Sequence, residues 1–478
     1  MVKSFKGKKV LVMGLGLHGG ALSVVKWLLR HGAIITITDL KTKAQLKTSL
    51  EEISKLRGAK KIKYSLGGHD IADFIDQDLI IQNPAVPKNN KFLNKARQNN
   101  ISIVNEAVMF FGLYPGSSIG VTGTRGKSTI ATLIHKILKT TIKTNVVAGN
   151  IATHPMFDVL GSLKVNSLPV IELSSWHLEI MDNYKVSPHI AVVTNVLNDH
   201  LNRYKNFAEY KEAKQFILKH QVKRDKAVLN ADNTASKSFA KSAEAQVYFY
   251  SLKKKVKGTY LKNNTSTSLS TGKIYFNNGK KNILVMTTDN IKLLGKHNLS
   301  NILAAITVAK LAGISNKNIT KAVNKFKGVA YRLEHKGNID GLDIYNDSTS
   351  TTPDATLAAI QAMGKRKILL IAGGEDKQLD YDKLAKQIKT KVKYLILLSG
   401  SGSDKLKKKL NKINYPKNKI ITEVASLKKA CQIAWQNKEK GEVLLFSPAA
   451  ASFNMFKNEF DRARQFDALI YDRQKKKK

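Results

Sequence analysis

A glycine-rich loop that ends in Gly-Lys-Ser interrupts an otherwise apolar stretch of the sequence. The segment VTGTRGKST follows a short apolar run and leads into the apolar-periodic segment IATLIHKIL, which predicts a strand, a loop and a helix in succession. In such a loop, backbone N–H groups and Lys127 hold nucleotide phosphates, and the Ser128 hydroxyl binds Mg²⁺. The spacing differs from the common P-loop pattern because Val121 stands where that pattern has its first glycine. The loop therefore predicts a nucleotide-phosphate site with a magnesium ion.

A second glycine pattern stands near the start of the chain. Gly14, Gly16 and Gly19 form G-x-G-x-x-G after a predicted strand, and Asp39 ends the next predicted strand. These glycines let a diphosphate approach a helix N-terminus, so the pattern predicts a Rossmann-like fold. An NAD-dependent oxidoreductase is one alternative, and tight packing of strand on helix without any ligand is another.

Polar side chains follow several further predicted strands. Glu172 ends the apolar run LPVIE, His200 follows the run HIAVVTN, and Lys214 lies on the next predicted helix. Ligands of parallel sheets bind beyond the carboxyl ends of the strands, so their joint placement favours one site, although each residue alone would be interpreted as structural. The last third of the chain offers similar donors for carboxylates and a nucleotide: Arg332, Asp347, Lys377, Ser447 and Ser452.

The elements that position these residues alternate between short β-branched runs and helical patterns. This alternation predicts an α/β protein of three domains with mostly parallel sheets. The first domain, residues 1–115, is expected to be Rossmann-like. The second, residues 116–328, is expected to be a P-loop ATPase-like α/β domain with extra β-hairpins, and the third, residues 329–478, to be Rossmann-like again. We expect a hinge near Gly328 and Tyr331.

The chain has 478 residues and a formal net charge of +44, which makes a basic, nucleic-acid-binding P-loop ATPase an alternative function. The lysines recur along most of the sequence, and no aromatic residues alternate with them as a base-stacking surface would require. We therefore expect no nucleic-acid partner. No apolar run is long enough to predict membrane insertion. The single cysteine, Cys431, excludes an internal disulfide and fits a reducing cytoplasm.

The chain resembles the Mur ligase family in the content and order of its blocks GVTGTRGKST, IELSSWHLE, NDHLNRY, GKHNLSNILAA, YRLEHKG, YNDST and LLFSPAAASFNMFKNEFDRARQF. The resemblance covers nearly the whole chain and is greatest to the members that add D-glutamate to UDP-N-acetylmuramoyl-L-alanine. It implies an ATP-dependent ligase of peptidoglycan precursor synthesis, located in the cytoplasm. ATP would phosphorylate the substrate carboxylate, the amino group of D-glutamate would attack the acyl phosphate, and ADP and phosphate would be released. We expect a monomer.

The resemblance also implies roles for individual residues. The catalytic set consists of Lys127, Glu172, His200 and Lys214. The ATP site consists of Gly123, Thr124, Arg125, Gly126, Lys127, Ser128, Thr129, Asn301, Arg332 and Asp347. The site for the UDP-linked substrate, which replaces NAD in the first domain, consists of Gly16, Leu17, His18, Lys41, Asn150 and Ser174. The amino acid would contact Thr351, Lys377, Ser452 and Phe460. Two Mg²⁺ ions would be bound by Ser128, Glu172, His200 and Lys214, the last as a carbamate because a bare lysine is a cation.

Four positions depart from the pattern of the family. Arg125 stands where asparagine is frequent, and Tyr331 stands where histidine is frequent. Thr349 replaces a frequent lysine, and Glu459 replaces a frequent aromatic residue in the expected amino-acid pocket. The last two departures leave the identity and the handedness of the amino acid open. A ligase of the same superfamily that adds L-glutamate or another amino acid therefore remains an alternative.

Overall fold

The computed structural model describes residues 4–16, 19–87, 89–151, 154–199, 203–262, 272–452 and 455–475. The chain folds into two compact units. The first unit comprises residues 1–290 and 300–325, and the second comprises residues 291–299 and 326–478. The first unit contains two β-sheets and the second contains one. Short 3₁₀ helices span Ala59–Lys61, Ile71–Phe74, Phe239–Lys241 and Lys417–Lys419.

The first sheet has five parallel strands. They are β1 (Lys9–Met13), β2 (Ile34–Asp39), β3 (Lys63–Leu66), β4 (Leu79–Gln82) and β5 (Ser102–Val104). Its helices are α1 (Gly20–Arg30), α2 (Lys47–Ser54), α3 (Lys91–Gln98) and α4 (Glu106–Leu113). The strand order β3-β2-β1-β4-β5 places β1 in the centre. The first glycine pattern joins β1 to α1 and Asp39 ends β2, so the predicted Rossmann-like arrangement is confirmed.

The second sheet has nine strands. They are β6 (Ile119–Thr122), β7 (Val147–Gly149), β8 (Val170–Glu172), β9 (Ile190–Val193), β10 (Lys226–Asn230), β11 (Gln246–Ser251), β12 (Gly258–Lys262), β13 (Lys273–Asn277) and β14 (Asn282–Thr287). Their order is β14-β13-β12-β11-β10-β9-β6-β8-β7, so β6 lies between β9 and β8. Strands β12, β13 and β14 pair antiparallel, which confirms the predicted hairpins.

Seven helices accompany the second sheet in the described part of the chain. They are α5 (Lys127–Leu138), α6 (Met156–Leu160), α7 (Ser175–Asn183), α8 (Phe207–Lys219), α9 (Thr234–Ser238), α10 (Lys296–Leu311) and α11 (Asn316–Lys325). Gly313 closes α10 with a positive φ of 78°, and the N–H of Ile314 donates to the carbonyl of Ala309. Glycine is favoured here because a left-handed residue ends a helix without a Cβ penalty.

The first two sheets share one hydrophobic core. Val10 and Val25 of the first sheet and its helix belong to the same buried cluster as Ile171 and Val193 of the second sheet. This shared core explains why two predicted domains form a single compact unit. Within the described residues, none of the helices combines the length and apolar character needed to cross a bilayer.

The third sheet has six strands. They are β15 (Glu334–Ile339), β16 (Leu342–Asn346), β17 (Ile368–Gly373), β18 (Val392–Leu398), β19 (Ile420–Val424) and β20 (Val443–Phe446). Its helices are α12 (Pro353–Ala362), α13 (Asp382–Lys391), α14 (Ser401–Lys412), α15 (Leu427–Gln436) and α16 (Glu459–Lys475). The order is β15-β16-β20-β17-β18-β19, with only β15 antiparallel to its neighbour. Separate apolar clusters cover the two faces, as expected for a sheet between helices.

Candidate active site

The Gly-Lys-Ser loop connects β6 to α5, as the sequence predicts, and the neighbouring loop after β9 holds it in place. The N–H of Thr124 donates to the carbonyl of Asn195 at 2.8 Å, and the N–H of Arg125 donates to Asn195 Oδ1 at 2.9 Å. In return, Thr194 Oγ1 donates to the carbonyl of Arg125 at 2.6 Å. The loop is therefore shaped before any nucleotide binds, which lowers the entropy cost of binding.

Gly123 is the position in this loop where glycine is most strictly required. Its φ is 144°, a conformation that L-residues with side chains rarely adopt. A methyl group there would overlap Thr194 Oγ1 and lie 2.9 Å from the carbonyl oxygen of Asn195. We expect Gly123→Ala to lower the free energy of unfolding by about 1–3 kcal/mol and to weaken ATP binding, because the loop must change shape.

Urea unfolding and the KM for ATP measure this effect. The matched control is Gly161→Ala, since Gly161 has an ordinary negative φ and no heavy atom within 4 Å of an added methyl group. Equal losses of stability in the two variants would contradict the assignment of strain to Gly123.

The predicted phosphate-binding side chains line the same loop. Lys127 Nζ donates to the carbonyls of Gly123 and Thr124 at 3.0 and 3.1 Å, so the ammonium group is folded back over the loop. Ser128 and the neighbouring Thr129 are buried in the first turn of α5. Gly126 precedes this helix with a φ of 86°. The positive end of α5 therefore faces the loop, which suits an anion.

Asn301 of α10 lies beside this loop, although the two are far apart in sequence. A methyl group on Gly126 would lie 2.5 Å from Asn301 Oδ1. The structure therefore brings together the loop residues and Asn301, another predicted member of the ATP site. Arg125 extends from the loop to Asp199, with 3.5 Å between Nη2 and Oδ2. Asp199 directly precedes His200, which lies outside the described residues.

Glu172 ends β8, the strand next to β6, and its carboxylate is almost completely buried. Asn150 Nδ2 donates to Glu172 Oε1 at 3.2 Å. Within the described part of the chain, Glu172 Oε2 is buried and has no hydrogen-bond partner. A buried, unpartnered carboxylate oxygen is costly, so it indicates a missing cation or donor. Asn150, predicted to contact the UDP-linked substrate, is thus also a hydrogen-bond partner of Glu172, a predicted metal ligand.

Lys214 lies on α8 and only 2% of it is exposed. Its Nζ donates to Thr122 Oγ1 at 3.4 Å. Burial and the positive charge of Lys127 hold the pKa of Lys214 well below its usual value, against the opposing effect of Asp199 and Glu172. A lysine in this environment has a larger neutral fraction at pH 7 than an exposed lysine, and the neutral amine is the form that reacts with an electrophile.

Two of the predicted metal ligands fit a cation as they stand, whereas Lys214 as an ammonium group does not. Ser128 supplies a hydroxyl and Glu172 supplies a free carboxylate oxygen, which are suitable ligands for Mg²⁺. A bare ammonium group would repel the ion. Among the residues that the structure describes, no group of three or more His, Cys, Asp or Glu side chains could hold a metal. A carboxylate added to Lys214 would supply the missing negative ligand.

The predicted residues for the UDP-linked substrate lie in two places in the first unit. Asp39 Oδ2 accepts from the N–H of Gly16 at 3.0 Å, and Oδ1 accepts from the N–H of Lys41 at 2.8 Å. The Asp39 carboxylate therefore connects the two loops that were predicted to bind UDP. Ser174 precedes α7, where its hydroxyl accepts from the N–H of His177. Leu17 and His18 lie outside the described residues.

In the second unit, Asp347 follows β16 and is almost completely buried. Its Oδ2 accepts from Ser350 Oγ and Ser447 Oγ at 2.5 and 2.7 Å, and its Oδ1 accepts from the N–H of Leu333 at 2.9 Å. Burial raises the pKa of Asp347 to about 6, although these donors and Arg332 oppose the shift. Asp347 thus joins the loops after β16 and β20 and the segment that carries the exposed side chain of Arg332.

Three of the four predicted amino-acid contacts occupy the loops after β16, β17 and β20, and the fourth, Phe460, lies in the first turn of α16. Lys377 Nζ donates to Thr351 Oγ1 at 3.2 Å, so these two predicted contacts meet. Ser452 is buried in the loop after β20. The ring of Phe460 lies 6.5 Å from that of Tyr331, measured between centroids. The side chain of Phe460 therefore lies near the loops although Glu459 holds the usual aromatic position.

Several residues that shape the site were not among the predicted residues. Thr194 and Asn195 shape the phosphate loop, and Arg462 joins the loops after β16 and β20. The position of Thr194 and Asn195 just after an apolar strand is a signal that could have identified them. Arg462 has no such signal, because a charged residue in a polar helix pattern is ordinarily exposed.

Three family descriptions match consecutive parts of the chain. The N-terminal domain of Mur ligases of the MurD-like type matches residues 8–105. The Mur ligase middle domain matches residues 121–309, and the Mur ligase glutamate ligase domain matches residues 331–450. These matches confirm the predicted three α/β domains and their order.

Two relatives match almost the full length. A UDP-N-acetylmuramoylalanine–D-glutamate ligase of Roseiflexus sp. (strain RS-1) is 34% identical, over 97% of this chain and 98% of the relative. The enzyme of the same name from Clostridioides difficile (strain 630) is 36% identical, over 96% of this chain and 98% of the relative.

Two solved structures show the same fold. The UDP-N-acetylmuramate–alanine ligase MurC of Thermotoga maritima has a TM-score of 0.65 and 19% identity, and the match covers 97% of this chain and 99% of that one. The MurF ligase of Thermotoga maritima in complex with ADP has a TM-score of 0.60 and 16% identity, with 100% and 97% coverage. From the full-length identity and the three matching domains, the chain belongs to the Mur ligase family.

Proposed function

We propose that this chain is a UDP-N-acetylmuramoyl-L-alanine–D-glutamate ligase of peptidoglycan precursor synthesis. Mur ligases use ATP, and relatives named for this reaction are 34% to 36% identical over nearly the whole chain. The observation on the molecule that carries the proposal is the unpartnered oxygen of Glu172, buried in the sheet that also positions the phosphate loop and Lys214. A buried free carboxylate oxygen in such a site is suited to metal-assisted phosphoryl transfer.

The chemistry follows from the weakness of a carboxylate as an electrophile. The alanyl carboxylate of the UDP-linked substrate attacks the γ-phosphorus of ATP, the bond to the β-phosphate oxygen breaks, and ADP leaves. The amino group of D-glutamate then attacks the acyl phosphate, and the tetrahedral intermediate expels phosphate to form the amide. Lys127 and the backbone N–H groups of the loop other than those of Thr124 and Arg125, which donate to Asn195, hold and neutralise the transferred phosphoryl group throughout.

Two Mg²⁺ ions and a carbamate are part of this proposal. Ser128 and Glu172 would hold one ion and His200 would hold the second, with the carbamate of Lys214 as a further metal ligand. When bound, the ions neutralise phosphate charge. The carbamate is supported by the burial of Lys214 and by its lowered pKa, because the neutral amine adds to CO₂ and releases a proton.

The remaining residues bind the substrates. The ATP site is completed by Gly123, Thr124, Arg125, Gly126, Thr129, Asn301, Arg332 and Asp347. The UDP-linked substrate is bound by Gly16, Leu17, His18, Lys41, Asn150 and Ser174. D-glutamate is bound by Thr351, Lys377, Ser452 and Phe460. The hydroxyl oxygen of Ser174 also caps the start of α7, where it accepts a hydrogen bond from the N–H of His177. Its contact with the substrate therefore requires the lone pair that this hydrogen bond leaves available.

The same proposal includes the location of the chain, its oligomeric state and its domain boundaries. We propose that the chain acts in the cytoplasm, which supplies ATP and the nucleotide-linked substrate, as a monomer with no nucleic-acid partner and no membrane insertion. The domains span residues 1–115, 116–328 and 329–478. The second boundary is supported by the passage from one compact unit to the other at residues 325 and 326.

An alternative amino acid is favoured by one specific observation. Thr349 stands where lysine is frequent in the family, and its Oγ1 donates to the carbonyl of Tyr331 at 2.8 Å. The side chain is therefore used within the loop and brings no positive charge to a carboxylate. L-glutamate or another amino acid is the second candidate substrate, and the missing positive charge favours an amino acid with a single carboxylate.

The test measures phosphate release with ATP, Mg²⁺ and UDP-N-acetylmuramoyl-L-alanine, in parallel with D-glutamate, L-glutamate, lysine or no amino acid. We expect release with D-glutamate at least about 100-fold above the others, because a site that pairs a carboxylate rejects analogues that misplace it. Phosphate release with L-glutamate alone would support the same ligase reaction with L-glutamate, not D-glutamate, as the amino-acid substrate. Release that depends on nucleic acid instead of an amino acid would exclude the ligase.

A further inference from the structure

A completely buried guanidinium lies in the second unit. Arg462, in the first turn of α16, has no exposed surface and is the largest fully buried side chain among the described residues. A buried charge is costly unless it is paired or hydrogen-bonded, so arginine is rarely retained in such a place without a reason.

All hydrogen-bond acceptors of this guanidinium are neutral. Nε donates to Ser348 Oγ at 3.1 Å, Nη2 to the carbonyl of Ser348 at 2.7 Å, and Nη1 to the carbonyl of Ala450 at 3.3 Å. Burial lowers the pKa of Arg462 to about 10, which leaves it a cation at neutral pH. Its charge is thus stabilised by backbone and hydroxyl dipoles and, without a direct hydrogen bond among the described residues, by the carboxylates of Glu459 and Asp347.

The acceptors belong to the loops that carry the predicted amino-acid contacts. Ser348 lies three residues before Thr351 in the loop after β16, and Ala450 lies two residues before Ser452 in the loop after β20. Strand β20 pairs parallel with both β16 and β17, so these loops and the loop of Lys377 emerge at one edge of the sheet. A single guanidinium therefore joins two of the three loops.

The positive charge of Arg462 is complementary to the carboxylates of the amino acid that these loops are proposed to bind. A glutamate substrate brings two carboxylates, whereas the predicted contacts include one lysine, Lys377, and position 349 is threonine. A cation inside the protein acts through a medium of low polarity, so its field at the pocket is less screened by salt than that of a surface lysine.

We propose that Arg462 is a positioning and specificity residue for the dicarboxylic amino acid, which fixes the loops after β16 and β20 and supplies a permanent positive potential behind the carboxylate pocket. This inference rests on the proposed function. It assigns no contact between Arg462 and substrate, because the guanidinium is enclosed by the loops that it holds.

The experiment compares Arg462→Lys and Arg462→Met with wild type in phosphate release under saturating ATP and UDP-linked substrate. The expected result is a rise of about 10- to 100-fold in the KM for D-glutamate in Arg462→Met, since hydrogen bonds to a charged group are lost. Arg462→Lys retains the charge without the forked donors, so a smaller rise is expected. The KM for the UDP-linked substrate is expected to stay within about twofold of wild type, because its predicted contacts lie in the first unit and not in these loops.

Two controls separate this role from a general loss of structure. Arg366→Met removes a half-buried arginine of the same sheet that pairs with Asp343, and it should leave the KM for D-glutamate unchanged. Thermal unfolding identifies any variant that does not fold. If Arg462→Met is unfolded, the KM for D-glutamate of the Arg462→Lys variant is used as the test instead.

A salt series tests the positive potential. The ratio of the KM values of Arg462→Met and wild type should be constant as ionic strength rises, whereas the ratio for Lys377→Met should shrink because Lys377 is exposed. An unchanged KM for D-glutamate in a folded variant, or equal rises in KM for all three substrates, would overturn the inference. Failure of wild type itself to use any amino acid would instead overturn the proposed function.

Discussion

Replacement of Lys214 by alanine is expected to lower kcat at least about 1000-fold while the protein remains folded. The side chain is buried beside Thr122, and the charge of Lys127 acts on it from the phosphate loop. If Lys214 carries a carbamate, the alanine variant loses a negative metal ligand and leaves room for a small carboxylate. Acetate or formate should therefore restore part of the activity of Lys214→Ala, whereas Lys214→Arg should not respond.

The matched control is Lys211→Ala, three residues earlier on the same helix, where the side chain is only partly buried and lies over the ring of Phe239. This variant should keep kcat within about twofold of wild type, as surface substitutions usually do. Depletion of CO₂ and bicarbonate should reduce wild-type activity reversibly. A Lys214→Ala variant with more than a tenth of wild-type kcat would contradict the assignment of Lys214 as a metal ligand.

The second large effect is expected from Glu172→Gln, which should lower kcat by about 100- to 10,000-fold. Glutamine keeps the shape of the side chain and an oxygen that can accept from Asn150, but it removes the negative charge that the buried Oε2 offers to a cation. The Mg²⁺ concentration that gives half-maximal activity should rise in the same variant.

The stability of this variant distinguishes a metal ligand from a structural acceptor. Because this buried carboxylate oxygen has no hydrogen-bond partner among the described residues, removal of its charge should leave the Tm unchanged or raise it. Glu212→Gln, at an exposed position on α8, is the control for the loss of one carboxylate. A lower Tm together with unchanged kcat and Mg²⁺ dependence would indicate that Glu172 serves only the packing of β8.

Several structural elements could be predicted from the sequence because they depend on local sequence patterns. The β–loop–α units around Gly16 and Gly126 depend on backbone conformations that glycine permits, and both loops stand where they were predicted. Gly313 likewise ends α10, and the hairpins follow β-branched alternation. The resemblance to Mur ligases rested on blocks at the ends of strands, where ligands of parallel sheets bind.

Other contacts required the strand order, which is not the order of the chain. Strand β6 lies between β9 and β8, so the phosphate loop has the loop of Asn195 on one side and Glu172 on the other. The approach of Asn301 to Gly126 depends on where α10 packs. No local pattern encodes such neighbours, because they arise when distant segments share a sheet edge.

The sequence by itself determined the α/β class, the phosphate loop, the family and the residue types at the strand ends. Only the tertiary structure decided which of those residues have their polar atoms already satisfied and which do not. Asp347 is enclosed by two hydroxyls and an N–H, whereas Glu172 keeps a buried oxygen without a donor among the described residues. Arg462 has the sequence context of a surface residue, yet it is buried because α16 packs it against two loops. The physical reason is that hydrogen bonding and desolvation are properties of the assembled environment, which the residue types alone do not define.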